Sequence, residues 1–95
     1  MALPAGIQAR YIHLTQRMQI YGANLGMPHT QPMKDGLLEL RMKSKEGIGR
    51  VFYCTLVNKC IVMLHSFIKK TQKTSSRELK IAMLRMKEVK SNANT

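Results

Sequence analysis

The sequence predicts an α+β fold: an N-terminal helix, an antiparallel sheet of three or four strands, and a C-terminal helix. Three observations predict it. Apolar residues recur at the helical period through Ile7, Tyr11, Leu14, Met18 and Tyr21; β-rich segments follow at about 37–43, 48–56 and 60–68; and Leu79, Ala82, Met83 and Met86 restore the helical period. At 95 residues the chain makes a single domain, 1–95, with one core.

Pro4 suits the first turn of the first helix, where its missing N–H costs nothing, and Gly22 suits a left-handed C-terminal cap. Gln8, Arg10, Gln16, Arg17 and Gln19 fill the polar positions between the apolar ones. Residues 22–36 contain Gly22, Gly26, Pro28, Pro32 and Gly36 and read as an ordered loop. The three β segments are joined by Ser44-Lys45-Glu46-Gly47 and by a short turn around Asn58, which makes an antiparallel meander. Cys60-Ile61-Val62-Met63-Leu64 is apolar at successive positions, so both faces of that strand are expected to be covered. Ser75 and Glu78 have capping-box spacing at the start of the last helix, Lys87 and Lys90 complement its dipole, and the tail 91–95 is expected to fray.

Sixteen Lys and Arg against five Asp and Glu give a formal charge of +11, with a pI near 10.2. Such a surface favours polyanions. No apolar run reaches the roughly 18 residues that cross a bilayer, and no signal peptide precedes the first helix, so no membrane association and a cytoplasmic location are expected. Cys54 and Cys60 read as ordinary strand residues, and His13 and His29 lack the partner spacing of a metal site. No phosphate loop, dinucleotide fingerprint or nucleophile elbow is present; no metal or cofactor is expected.

Alternation puts Glu39, Arg41 and Lys43 on one face of their strand, turned from the core, and Arg50 on the next strand joins them if the hairpin register allows. One of Phe52 and Tyr53 faces the core, leaving the other free to stack on a base. His65 shares a period-2 face with Ile61, Met63 and Phe67, a pattern that fits a half-buried structural histidine. Its place where a strand meets a loop makes it a candidate for proton transfer.

Leu25-Gly26-Met27-Pro28-His29, Gly36-Leu37-Leu38-Glu39-Leu40-Arg41, Arg50-Val51-Phe52-Tyr53 and the run from His65 through Lys69-Lys70 to Lys73-Thr74 resemble the HigB-like, phage-derived branch of the RelE/ParE toxin superfamily. The resemblance covers nearly the whole chain. It implies a toxin of a type II toxin–antitoxin pair, a ribosome-dependent mRNA endonuclease in which the ribose 2′-OH attacks the adjacent phosphate without a metal. The implied partners are a helix-turn-helix antitoxin and mRNA on the ribosome. By position, Arg41 and Arg50 match basic strand residues that hold phosphate, and Lys69 and Lys70 match a basic cluster after the strand. Chemistry rather than position nominates His65 as base or acid, and Lys43 and Lys73 as further phosphate contacts. Family members usually begin with a strand for which this chain has no room before its first helix, so either the true start lies upstream or the sheet edge at 37–43 is left open. Two other readings stand beside the first: a ParE-like toxin that inhibits gyrase without catalysis, and an inactive remnant that still binds antitoxin or RNA.

Overall fold

The computed structural model describes residues 3–56, 60–69 and 76–93. Helix α1 spans Ala5–Tyr21, strands β1 to β4 span Thr30–Pro32, Leu38–Ser44, Gly47–Thr55 and Ile61–Lys69, and helix α2 spans Ser76–Ala93. The strands form one antiparallel sheet in the order β1-β2-β3-β4, with α1 packed on one face and α2 on the other. This is the expected α+β architecture, a meander between two helices.

The loop expected at 22–36 contributes the fourth strand. Thr30, Gln31 and Pro32 pair with Leu40, Glu39 and Leu38. The 37–43 edge expected to be open is therefore covered, and the short covering strand ends at Pro32, a residue that sheet edges tolerate. The sheet's two edges are the short β1 and the nine-residue β4.

Helix α1 starts one residue later than expected: Pro4 is its N-cap, and the Pro4 carbonyl accepts from Gln8 N–H at 2.9 Å. Its first turn contains no acidic residue. Glu46, in the β2–β3 turn, supplies the anion instead and accepts from Gly6 N–H at 2.5 Å, the charge that a helix N-terminus favours. Gly22 ends the helix with φ 99° and ψ 169°, an extended positive-φ conformation rather than the left-handed helical one expected. Helix α2 continues through Ser91, Asn92 and Ala93, residues expected to fray. Ser75 and the turn around Asn58 lie outside the described residues.

Two cores result. Under α1, Ile7, Leu14 and Met18 meet Leu40, Met42, Val51 and Tyr53; under α2, Ala82 and Met86 meet Leu37, Phe52, Cys54, Leu64 and Phe67. Phe52 and Tyr53 thus alternate as expected, but both are fully buried, each beneath its own helix, so neither offers a stacking surface. The Tyr53 hydroxyl donates to the Ala23 carbonyl at 2.6 Å. Burial pushes its pKa up to about 12, a hydrogen bond with Thr30 opposing the rise. One tyrosine thereby ties the loop after α1 to the middle of the sheet. No helix among the described residues is long and apolar enough to cross a membrane.

Candidate functional site

The geometry of the site turns on an irregularity in β4. Phe52 pairs with His65, but the next residue, Tyr53, pairs with Met63, leaving Leu64 as an extra residue. A bulge re-aims the side chains beyond it. Ile61 and Met63 pack into the α1 core, whereas Phe67 joins the α2 core and His65 reaches α2. The expectation that His65 shares a face with Ile61 and Met63 is therefore corrected: only Phe67 shares it, with the two rings stacked at 5.8 Å between centroids and 22° between planes.

Because β4 is an edge strand, α1 and α2 flank a cleft of about 610 Å³ that passes over it. Gln8 and Tyr11 line the α1 side, and His65, Glu78 and Arg85 the α2 side. His65 is held at both ring nitrogens. The Glu78 carboxylate contacts Nε2; an Arg85 guanidinium nitrogen donates to the Leu64 carbonyl at 2.8 Å and stands 3.3 Å from Nδ1. Arginine has no acceptor, so the second contact is a hydrogen bond only when Nδ1 carries the lone pair and the proton sits on Nε2, facing Glu78. A carboxylate on one nitrogen and a long, displaceable contact on the other is an arrangement suited to taking a proton at Nδ1.

Arg41 and Arg50 occupy a different cavity. They sit directly opposite one another across β2 and β3, as the alternation of β2 allowed. Arg50, expected at a surface-facing position, is buried at 4% exposure and ion-paired with Glu39, which is 1% exposed. Gln31 also donates to that Glu39 oxygen, at 3.4 Å. A polar cavity of about 170 Å³ is lined by His29, Gln31, Glu39, Arg41 and Arg50, and in these residues Nε of both arginines and the second Glu39 oxygen are buried without a partner. Phe67, which lines the edge cleft, pairs with Arg50 in the sheet and stacks on His65.

The structure thus places the expected site residues in two groups. His65 lies in the edge cleft, and Arg41 and Arg50 in the small cavity. Lys43 is exposed at the end of β2 opposite Ile48, and the β4 backbone brings Lys69 opposite Ile48 from the other side. Lys70 and Lys73 lie outside the described residues. Sequence reasoning missed Glu78 and Arg85. Glu78 was read only as a cap, although Glu78 and Arg85 are seven residues apart, two turns of one helix face. It also missed that Glu39, the one carboxylate in an otherwise cationic strand face, would neutralise Arg50.

Elsewhere, burial first, and then the charges of Arg17, Arg10 and His13, hold His29 below the usual histidine range. Burial raises the Cys54 thiol, with Lys90 opposing. Cys54 and Cys60 are both unbridged, and no cluster of metal-ligating side chains occurs among the described residues.

The family described as "Phage derived protein Gp49-like (DUF891)" matches residues 1–87. No curated protein matches the chain.

Proposed function

Because this chain belongs to the Gp49-like family of phage-derived proteins and has a small RelE-like fold, we propose that it is the toxin of a toxin–antitoxin pair and an endonuclease acting on mRNA engaged with the ribosome. The observation that carries this reading is His65, fixed by Glu78 at one nitrogen and loosely held by Arg85 at the other, in an open cleft. In the proposed step His65 Nδ1 takes the 2′-OH proton as the 2′-oxygen bonds to phosphorus. The bond from phosphorus to the 5′-oxygen breaks, that oxygen leaves as a hydroxyl with a proton from water, and the imidazolium then returns its proton to the hydroxide left behind. Glu78 stabilises the imidazolium formed, and Arg85, released from Nδ1, neutralises charge on the phosphorane. Lys69, at the end of β4, and Lys70 and Lys73, which follow it in sequence, are proposed to hold the flanking phosphates, with Lys43 as a further phosphate contact. Arg41 and Arg50 set the electrostatic field of the sheet face from within it. A helix-turn-helix antitoxin remains the proposed neutralising partner, and the HigB-like branch the proposed subgroup.

The test is a reconstituted translation reaction with purified protein. Cuts within the translated message, leaving a 2′,3′-cyclic phosphate or 3′-phosphate and a 5′-hydroxyl, are expected, and they should disappear with His65→Gln. Growth inhibition without such cuts, together with loss of gyrase supercoiling activity, would replace this reading with the ParE-like one.

A further inference from the structure

Helix α1 presents its charges on one flank only. Arg10, His13 and Arg17 are spaced i, i+3, i+7, which puts them on one side of the helix, while Gln8 and Tyr11 on the other side line the edge cleft. The segment Ala5–Tyr21 contains no Asp or Glu, and no carboxylate pairs with Arg10, His13 or Arg17 among the described residues. His29, at the entry to β1, faces the same three groups and feels their charge. One further residue along the row, Tyr21 is 70% exposed and carries the Arg17 guanidinium over its ring at 6.0 Å from the centroid.

From this juxtaposition we infer that the Arg10–His13–Arg17 flank of α1, with His29 beside it and Tyr21 at its end, is a second phosphate-binding surface that takes the backbone of single-stranded RNA, separate from the cleft around His65. The inference rests on the reading that the chain acts on RNA. Like charges gathered without a counter-ion repel one another, and a row of phosphates relieves that repulsion while releasing its own counter-ions. An exposed ring in a cationic row adds what a single strand needs beyond charge, a face on which a base stacks whatever its identity. The surface therefore anchors RNA without sequence preference, leaving the chemistry to the other side of α1.

Binding of a short fluorescent single-stranded RNA is to be measured across a salt series, for the full chain and for Arg10→Gln/Arg17→Gln, Arg10→Lys/Arg17→Lys and Tyr21→Ala. Loss of two phosphate contacts should make the slope of log affinity against log salt shallower by about 1.4 in the Gln variant, at about 0.7 per contact. The Lys variant should keep the parental slope, which separates charge from packing. Tyr21→Ala should weaken binding by about 5–150-fold with the slope unchanged. Parental slopes in the Gln variant would overturn this surface and leave the ribonuclease reading standing. A parent chain that binds no RNA at any salt would likewise overturn this surface, while the ribonuclease reading is decided separately by the cuts in the reconstituted translation reaction; capture of an acidic protein lost in the Gln variant alongside an unchanged RNA slope would reassign the flank to that protein.

Discussion

At the scale of single residues, the two halves of the candidate site make opposite demands. His65 is half-buried and its ring nitrogens contact Glu78 and Arg85 of α2, so His65→Gln should fold and lose activity. Removing a general base costs roughly 10²–10⁴ in rate, to be measured by single-turnover cleavage with a thermal melt as the folding control. An inactive but equally stable Arg85→Gln would add the phosphorane role, whereas an active one would confine Arg85 to holding the β4 bulge. Arg50 behaves otherwise. Arg50→Ala leaves the Glu39 carboxylate buried without its cation, which costs about 3–5 kcal/mol, enough to unfold much of a small domain. Arg50→Met with Glu39→Leu removes both charges and should recover most of that loss. If the double variant is stable and fully toxic, the pair is structural; if it is stable and inactive, the charge itself matters to catalysis. His29 gives a pH signature. Its pKa is held below the ordinary 6.5, by burial first and then by Arg17, Arg10 and His13. The unfolded chain therefore binds the proton more readily, and stability falls as pH drops below about 6.5. His29→Gln should lose that part of the acid sensitivity in melts between pH 7.5 and 5.

At the scale of elements, α1 meets the sheet closely at Gly49. A Cβ there would lie 2.6 Å from the Ile7 side chain and 3.0 Å from Met42, both fully buried, so neither can swing away. Gly49→Ala should destabilise by about 1–3 kcal/mol through overpacking, read as a lower melting temperature; an unchanged melt would show that α1 slides freely on the sheet. Gly6 looks similar in distance, 2.4 Å to Glu46, but Glu46 is exposed and its carboxylate can move, so Gly6→Ala should cost little beyond the lost cap. The elements themselves were legible in the sequence because periodicity and turn residues agree: α1, three of the strands and the start of α2 lie within a residue or two of the expected bounds, while α2 runs on to Ala93 through residues expected to fray. β1 was not, since three residues ending in proline carry no period and gain strand geometry only from pairing with β2. The bulge at Leu64 was hidden for a related reason. Ile61 to Leu64 are apolar throughout, because α1 covers one side of the edge strand and α2 the other, and a run without alternation gives no register. Every face assignment beyond it, His65 included, depends on that bulge. The burial of Arg50 was equally invisible, as its partner Glu39 lies eleven residues away and is brought diagonally across from it only by hairpin register.

For the whole molecule, the excess of positive charge sets a sign that a single experiment can read. Of the few carboxylates, Glu39 and Glu78 face Arg50 and His65, and Glu46 is engaged at the α1 N-terminus, so the outer surface carries nearly all of the +11 uncompensated. The radius of gyration is 13.0 Å, comparable with the Debye length of about 10 Å at 0.1 M salt. At low ionic strength cations on all sides of the domain therefore repel one another and weaken the compact state, and added salt screens them. The melting temperature of the protein alone should rise between about 0.02 and 0.3 M salt, by a few degrees for each kcal/mol of repulsion removed. Single-stranded RNA should reverse the trend. A polyanion that binds only the folded chain stabilises it by about 2.7 kcal/mol at a hundredfold excess over its dissociation constant, and because that constant weakens steeply with salt, the RNA-bound melt should be highest where the free melt is lowest. The two curves, recorded on the same samples, should converge as salt rises. Parallel curves would mean that the positive surface meets no polyanion, and the search for its partner would then turn to an acidic protein.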